Sequence, residues 1–193
     1  MNILILGTFV NGSLENYYSS GLMKQGHNVL EYEINRVYYE KISKNFTNKV
    51  LNRINPNVFF YSINRQLIEF ISNMKFDVII VFKGLTLFPE TISVLKGYCK
   101  FILNYNPDHP LEYFSSGAGN NNIYKSLKLY DLVITYSHNI KNRLINDFSI
   151  LSSVIPFGFS LHKENAISLN QRRHIKFIGS YAVSYTHLRA HET

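Results

Sequence analysis

The sequence predicts an α/β fold: a doubly wound parallel sheet with helices on its faces. Three observations carry this. Short apolar runs alternate along the chain with segments whose apolar residues recur every three or four positions, which is the strand–helix alternation of parallel sheets. The run Asp77-Val78-Ile79-Ile80-Val81-Phe82 is apolar on both of its faces, as strands buried between two helix layers are. Several of these runs exit through glycine or proline, at Gly7, Lys83-Gly84, Pro107 and Pro156, the turn chemistry of a strand's exit.

In chain order, Asn2 to Leu6 reads as the first strand, with Gly7-Thr8 as its exit. Gly12 to Gly26 reads as a helix turning Leu14, Tyr17, Tyr18, Gly21 and Leu22 toward the sheet, and Gly26 terminates it. Val29 to Ile34 is the second strand. Tyr38, Ile42, Phe46, Val50 and Ile54 recur every four residues and predict one helical face. Asn55-Pro56 breaks that helix and opens another, where Phe59, Ile63, Leu67, Phe70 and Met74 repeat the stripe; proline suits a first helical turn. The third strand, Asp77 to Phe82, exits through Lys83-Gly84. Pro89-Glu90 opens a helix with Ile92 and Leu95 inward. Lys100 to Leu103 is the fourth strand, and the loop Asn104-Tyr105-Asn106-Pro107-Asp108-His109-Pro110 follows it. Asn120 to Tyr130 is helical, Asp131 to Tyr136 the fifth strand, and Ser137 caps a helix through Leu144. Leu151 to Ile155 is the sixth strand. Residues 1–161 therefore form one domain. His162 to His174 is polar, without apolar period, and reads as a linker. Ile175 to Ile178 begins a new strand, closing on Gly179-Ser180-Tyr181, so residues 175–182 read as the first strand of a second domain.

Residues 183–193 match a translated sequencing adapter in the frame Ser-Tyr-Thr-His-Leu-Arg-Ala-His-Glu-Thr, and are set aside as a non-native tail. His187 and His191 would otherwise pass for an i, i+4 metal pair.

Composition narrows the function classes. The chain has 193 residues, 46% hydrophobic and 17% charged, enough for a packed core. No apolar run reaches the roughly 18 residues of a membrane span. Cys99 is the only cysteine, which rules out an internal disulfide and suits the cytoplasm. The net charge is +7. Its basic residues are scattered (Lys41, Lys44, Lys49, Arg53, then Lys125, Lys128, Lys141, Arg143), without the dense block that nucleic-acid binding favours. Peripheral contact of these basic helices with a membrane surface fits the pattern better.

The candidate sites lie at strand exits, where doubly wound sheets bind ligands. Asp108 and His109 sit between two φ-restricting prolines, so an acid and an imidazole are held at a carboxyl end. Asp108 suits a general base or a hydroxyl-orienting group, and His109 the same near neutral pH; the plainer reading of Asp108 is a turn-stabilising aspartate. Lys83 suits an anion or sugar hydroxyl, and Gly84 permits close approach. Gly7, Thr8 and Gly12 are second-rank cleft residues. Gly7-Thr8-Phe9-Val10-Asn11-Gly12 is neither G-x-G-x-x-G nor a P-loop, so a helix-entry turn is favoured over a dinucleotide site, although Glu31 and Glu33 lie near where a ribose-binding acid would be. His27 and His138 read as structural. No His/Cys/Asp/Glu set has metal-ligand spacing, and no G-x-S-x-G nucleophile elbow occurs.

The order of five stretches resembles the CgeB-like (spore maturation) glycosyltransferases, close to the family-four-type enzymes of GT-B architecture. They are the opening strand with Gly26-His27-Asn28-Val29, the run Phe76 to Gly84, Asn106-Pro107-Asp108-His109-Pro110, Tyr130 to Thr135, and Lys176-Phe177-Ile178-Gly179-Ser180-Tyr181. The family's loop is usually of the Asn-Asp-Asp-Pro kind; here Pro107 and His109 stand as neighbours of Asp108. The resemblance implies two Rossmann-like domains across a cleft, with residues 1–161 holding the acceptor and a truncated C-terminal domain binding a nucleotide-sugar donor. It implies sugar transfer to an acceptor hydroxyl without cofactor or obligatory metal, and Gly179 and Ser180 as donor-side residues. It further implies that residues 1–181 alone are inactive. Two other classes stay open: a non-catalytic α/β ligand-binding module of flavodoxin or receiver type, which Gly7-Thr8-Phe9 disfavours as a receiver, and a dinucleotide-dependent reductase or epimerase.

Overall fold

The structure, a computed structural model, describes residues 1–112 and 119–157. The linker, the strand at 175–178, Gly179, Ser180 and the tail lie outside the described residues.

Met1–Phe157 forms one compact unit. Six strands, β1 (Asn2–Gly7), β2 (Asn28–Glu33), β3 (Phe76–Phe82), β4 (Cys99–Asn106), β5 (Leu132–Thr135) and β6 (Ser152–Val154), make one sheet in the order β2-β1-β3-β4-β5-β6. Every adjacent pair is parallel. The seven described helices are α1 (Leu14–Lys24), α2 (Ile34–Ser43), α3 (Phe46–Ile54), α4 (Asn57–Ile71), α5 (Pro89–Leu95), α6 (Asn121–Ser126) and α7 (His138–Phe148).

The period-2 alternation of each strand divides the core. Leu4, Leu6, Ile79, Val81, Ile102 and Val133 pack on one side with Ile63, Leu67, Ile92, Ile123 and Leu144 from α4 to α7. Ile3, Ile5, Ile80, Phe82, Tyr105 and Ile134 form the other side, where Leu14, Tyr18 and Leu22 of α1 cover them. The chain winds one way from β1 to β2 and the other way from β3 onward, so the direction reverses between β1 and β3. That reversal opens a crevice at the strands' carboxyl ends.

The first residues of β3 and the turn before β5 explain two of the sequence stretches structurally. Asp77 accepts from the Asn2 amide at 2.8 Å and from Lys100 Nζ at 2.6 Å, tying three neighbouring strands at their amino ends. Asp131 ties the start of β5 to β4 in a similar way, accepting from the Ile102 amide at 2.8 Å and from Lys96 Nζ, in the turn before β4, at 2.7 Å.

Several elements differ from the sequence expectation. In α1, Tyr17 is 47% exposed and Gly21 faces open space, so of the five expected residues Leu14, Tyr18 and Leu22 meet the sheet. Gly26 ends the helix as expected, at φ +83, with His27 N–H reaching the Leu22 carbonyl and Gly26 N–H the Met23 carbonyl. The long helix predicted across Tyr38 to Ile54 is two, because Asn45 caps α3 by accepting from the Asn48 amide at 2.9 Å. In α4 the buried stripe runs Phe59, Ile63, Leu67, Ile71, leaving Phe70 partly outside and Met74 beyond the helix. Ser137 stands at the N-cap of α7 without a capping bond. Asn104, Tyr105 and Asn106 are not loop: β4 continues through them, because Asn104 and Tyr105 pair with Val81 and Phe82 and the side chains are buried.

Candidate functional site

The carboxyl edge of β1, β3 and β4 carries the residues singled out from the sequence. At β3 the exit is sharp. Gly84 N–H reaches back to the Phe82 carbonyl at 2.7 Å, a three-residue γ-turn centred on Lys83. Lys83 has φ +62 and Gly84 φ +84. A lysine at positive φ is uncommon, and the γ-turn of that sign is the strained form. Two features over-determine it. Lys83 N–H donates to the Tyr105 carbonyl at 2.9 Å, and buried Asn104 Nδ2 donates to the Val81 and Lys83 carbonyls at 3.0 and 3.3 Å. A β-carbon on Gly84 would lie 3.2 Å from Tyr130 Oη and 3.3 Å from Val81 Cγ1, so this turn is closely packed underneath. Burial pushes the Tyr130 hydroxyl far above its ordinary range, and it stays neutral there.

At β4 the side chain of Asn106 accepts from the Asp108 amide at 3.0 Å, an Asx turn that re-aims the chain after Pro107. The result is an ion pair, Lys83 Nζ to Asp108 Oδ2 at 2.5 Å, with the side chains 29% and 36% exposed. Thus the third and fourth strand exits, 25 residues apart in sequence, meet at one edge. His109 lies against a second cluster: its Nε2 is 3.8 Å from Glu112 Oε1, which in turn receives Arg143 at 2.6 Å. The Arg143 hydrogen bond, aided by His109, holds the Glu112 carboxyl below its usual value. Beneath the loop, burial pushes the Tyr105 hydroxyl up to about 12; it bonds Tyr18 and donates to the Ile155 carbonyl at 3.1 Å.

Between β1 and β3 the crevice holds a cavity of about 110 Å³, lined by Asn35, Tyr38 and Tyr39 of α2 and by Lys83 to Leu87. Sequence reasoning missed α2 here. It also missed Asn64, a buried α4 residue that fastens the Thr86 segment of the lining from behind: Nδ2 donates to the Phe60 and Thr86 carbonyls, both at 2.7 Å, while Oδ1 accepts from the Phe88 amide at 3.1 Å. A buried asparagine on an otherwise apolar helical stripe was the available signal. Thr86 Oγ1, Asn104 Oδ1, Asn106 Nδ2 and Thr135 Oγ1 are buried at this same edge without a hydrogen-bond partner among the described residues.

The exit of β1 is organised differently. Asn35 Nδ2 donates to Thr8 Oγ1 at 2.6 Å, joining this exit to α2. Glu15, in the first turn of α1, folds back so that its carboxylate accepts from the Thr8 amide at 3.3 Å, and a β-carbon on Gly7 would lie 2.5 Å from Glu15 Cγ. The helix start that binds a pyrophosphate in dinucleotide folds therefore already holds a carboxylate. Gly12 is an exposed turn residue at φ +82 leading into the Ser13 cap, with nothing near it. Glu31 is committed to Ser19 Oγ at 2.5 Å and Glu33 to Arg36 at 3.5 Å. Among the described residues no three His, Cys, Asp or Glu side chains converge as a metal centre requires, and no helix is long and apolar enough to cross a membrane.

Fold and edge together define a doubly wound α/β domain whose cleft opens at the β1/β3 reversal, floored by a strained lysine turn and an acidic loop. No family model matches the chain, and no curated protein gives a significant match to it.

Proposed function

We propose that this domain is the acceptor-holding half of a glycosyltransferase of GT-B architecture, as its resemblance to the CgeB-like enzymes implies, moving a sugar from a nucleotide-sugar donor to an acceptor hydroxyl. The observation that supports the reading is the meeting of Lys83 and Asp108 at one carboxyl edge, beside a cavity lined by aromatic and polar side chains. In this reading the acceptor hydroxyl replaces Lys83 as the partner of Asp108. Asp108 orients it and takes its proton as the new bond to the anomeric carbon forms and the bond to the nucleotide phosphate breaks. Until the acceptor arrives, Lys83 holds the Asp108 carboxylate in position. His109 orients the loop through Glu112 and Arg143. Gly84 and Thr8 form the floor. The donor is held by residues outside the described part, Gly179 and Ser180 among them.

A dinucleotide-dependent reductase is disfavoured by the Glu15 carboxylate at the β1 exit. A non-catalytic ligand-binding module has one observation in its favour: the order 2-1-3-4-5 of the first five strands is that of flavodoxin-like sheets. Fold alone does not decide function.

An amide NMR titration of the labelled protein separates these readings. A panel of mono- and disaccharides is expected to shift Lys83, Gly84 and Asp108, and Asp108→Asn to remove the response. Saturable shifts from NAD at Gly7 to Ser13, or from flavin mononucleotide with no response to any saccharide, would overturn the proposal.

A further inference from the structure

Helix α3 is built inside out. Phe46, Val50 and Ile54 recur at i, i+4 and i+8, a stripe that in an ordinary surface helix faces the core. In α3 no residue is buried, and the two most covered are Asn48 and Asn52. Those asparagines attach the helix: Tyr38 Oη donates to Asn52 Oδ1 at 2.9 Å, and Asn48 Nδ2 donates to the Lys41 carbonyl at 2.8 Å. The polar face thus turns inward. Phe46 is 78% exposed and Ile54 77%, with Val50, Leu51 and, past Pro56, Val58 also exposed.

Charge points to what covers this face. From residue 41 to residue 68 the chain carries Lys41, Lys44, Lys49, Arg53 and Arg65 and no Asp or Glu. Lys41 is engaged by the Ser62 hydroxyl and Arg65 by Glu69. Lys44, Lys49 and Arg53 have no carboxylate within ion-pair distance among the described residues. At 100° per residue, Lys49 and Arg53 border the stripe on the Phe46 side. A second copy docked on this face by two-fold symmetry would set the same cations against each other. An anionic bilayer instead offers phosphates to the basic border and an acyl boundary to the apolar stripe.

We propose that α3 lies flat on an anionic lipid surface, with Phe46, Val50 and Ile54 inserted and Lys44, Lys49 and Arg53 at the headgroups. The proposal is independent of the sugar-transfer reading, although α2, which lines the cavity, leads directly into α3.

Flotation of the full chain tests it, with vesicles of phosphatidylcholine alone and vesicles in which phosphatidylserine replaces about a third of the lipid. The chain is expected to float with the anionic vesicles, to stay behind with the neutral ones, and to be released as salt rises. The double substitution Phe46→Ser with Ile54→Ser is expected to abolish flotation while leaving the thermal midpoint unchanged, because both side chains are exposed. Lys49→Gln with Arg53→Gln is expected to weaken binding roughly 25-fold, at about a fivefold factor per basic residue near an anionic surface. Equal flotation with both vesicles, flotation with neither, or wild-type binding by the Phe46/Ile54 variant overturns the proposal. So does a concentration-dependent doubling of mass that the same variant abolishes, which would give the face to a second copy.

Discussion

Replacing Lys83 by glycine and, separately, by alanine isolates the backbone at the centre of the site. Both changes delete the ion pair to Asp108, so its contribution cancels in the comparison. What remains is φ +62 at position 83. Alanine kept in the left-handed region costs about 1–2 kcal/mol relative to an unstrained residue. Glycine adopts that region freely but gains about 0.4–1 kcal/mol of extra disorder in the unfolded chain. The glycine variant should therefore be the more stable, by about 0.5–1 kcal/mol, or roughly 1–4 °C in thermal midpoint for a domain of this size. At an ordinary position the order is reversed, with alanine ahead. The sign alone is diagnostic: paired melts monitored by circular dichroism read it directly. An alanine variant as stable as the glycine variant, or more so, would mean that the exit of β3 is not left-handed, and that Lys83 is not presented to Asp108 in the way described.

Two further outcomes test the scaffold. Asn64→Ala strips partners from the Thr86 carbonyl and the Phe88 amide, and at about 1–3 kcal/mol per orphaned buried group it should lower stability by about 2–6 kcal/mol in a urea titration; a loss under about 0.5 kcal/mol would mean that water takes over both bonds. Asp131 reports on acid stability: burial alone would raise its pKa, but Lys96 and the Ile102 amide together hold it below the usual value. A carboxyl depressed in the folded state contributes stability above its unfolded pKa of about 3.9, and that contribution is lost as pH falls through the folded value. Asp131→Asn should therefore flatten the fall in thermal midpoint below about pH 4 while lowering it at pH 7. A parallel shift at both pH values would assign the effect to packing instead.

The alternation of apolar runs and helical stripes was enough to assign the α/β class, because strand and helix periods are local properties of the chain. Local chemistry also marked Gly26 as a helix end and Lys83, Gly84 and Asp108 as exit residues. It could not determine strand order. That order follows from which crossovers bury the most apolar surface, and it places the reversal between β1 and β3, brings Lys83 to Asp108, and lets Asn104 fasten the turn from beneath. Nor could it show that β4 runs on through Asn106, since the partners that extend it come from β3, more than 20 residues earlier, and from β5, more than 25 residues later. The stripe Phe46-Val50-Ile54 shows the division most plainly. Periodicity tells that a helix has an apolar side, but it is silent on which side meets the protein. In α3 that was decided by Asn48 and Asn52, whose hydrogen bonds to α2 exist only once the two helices are packed.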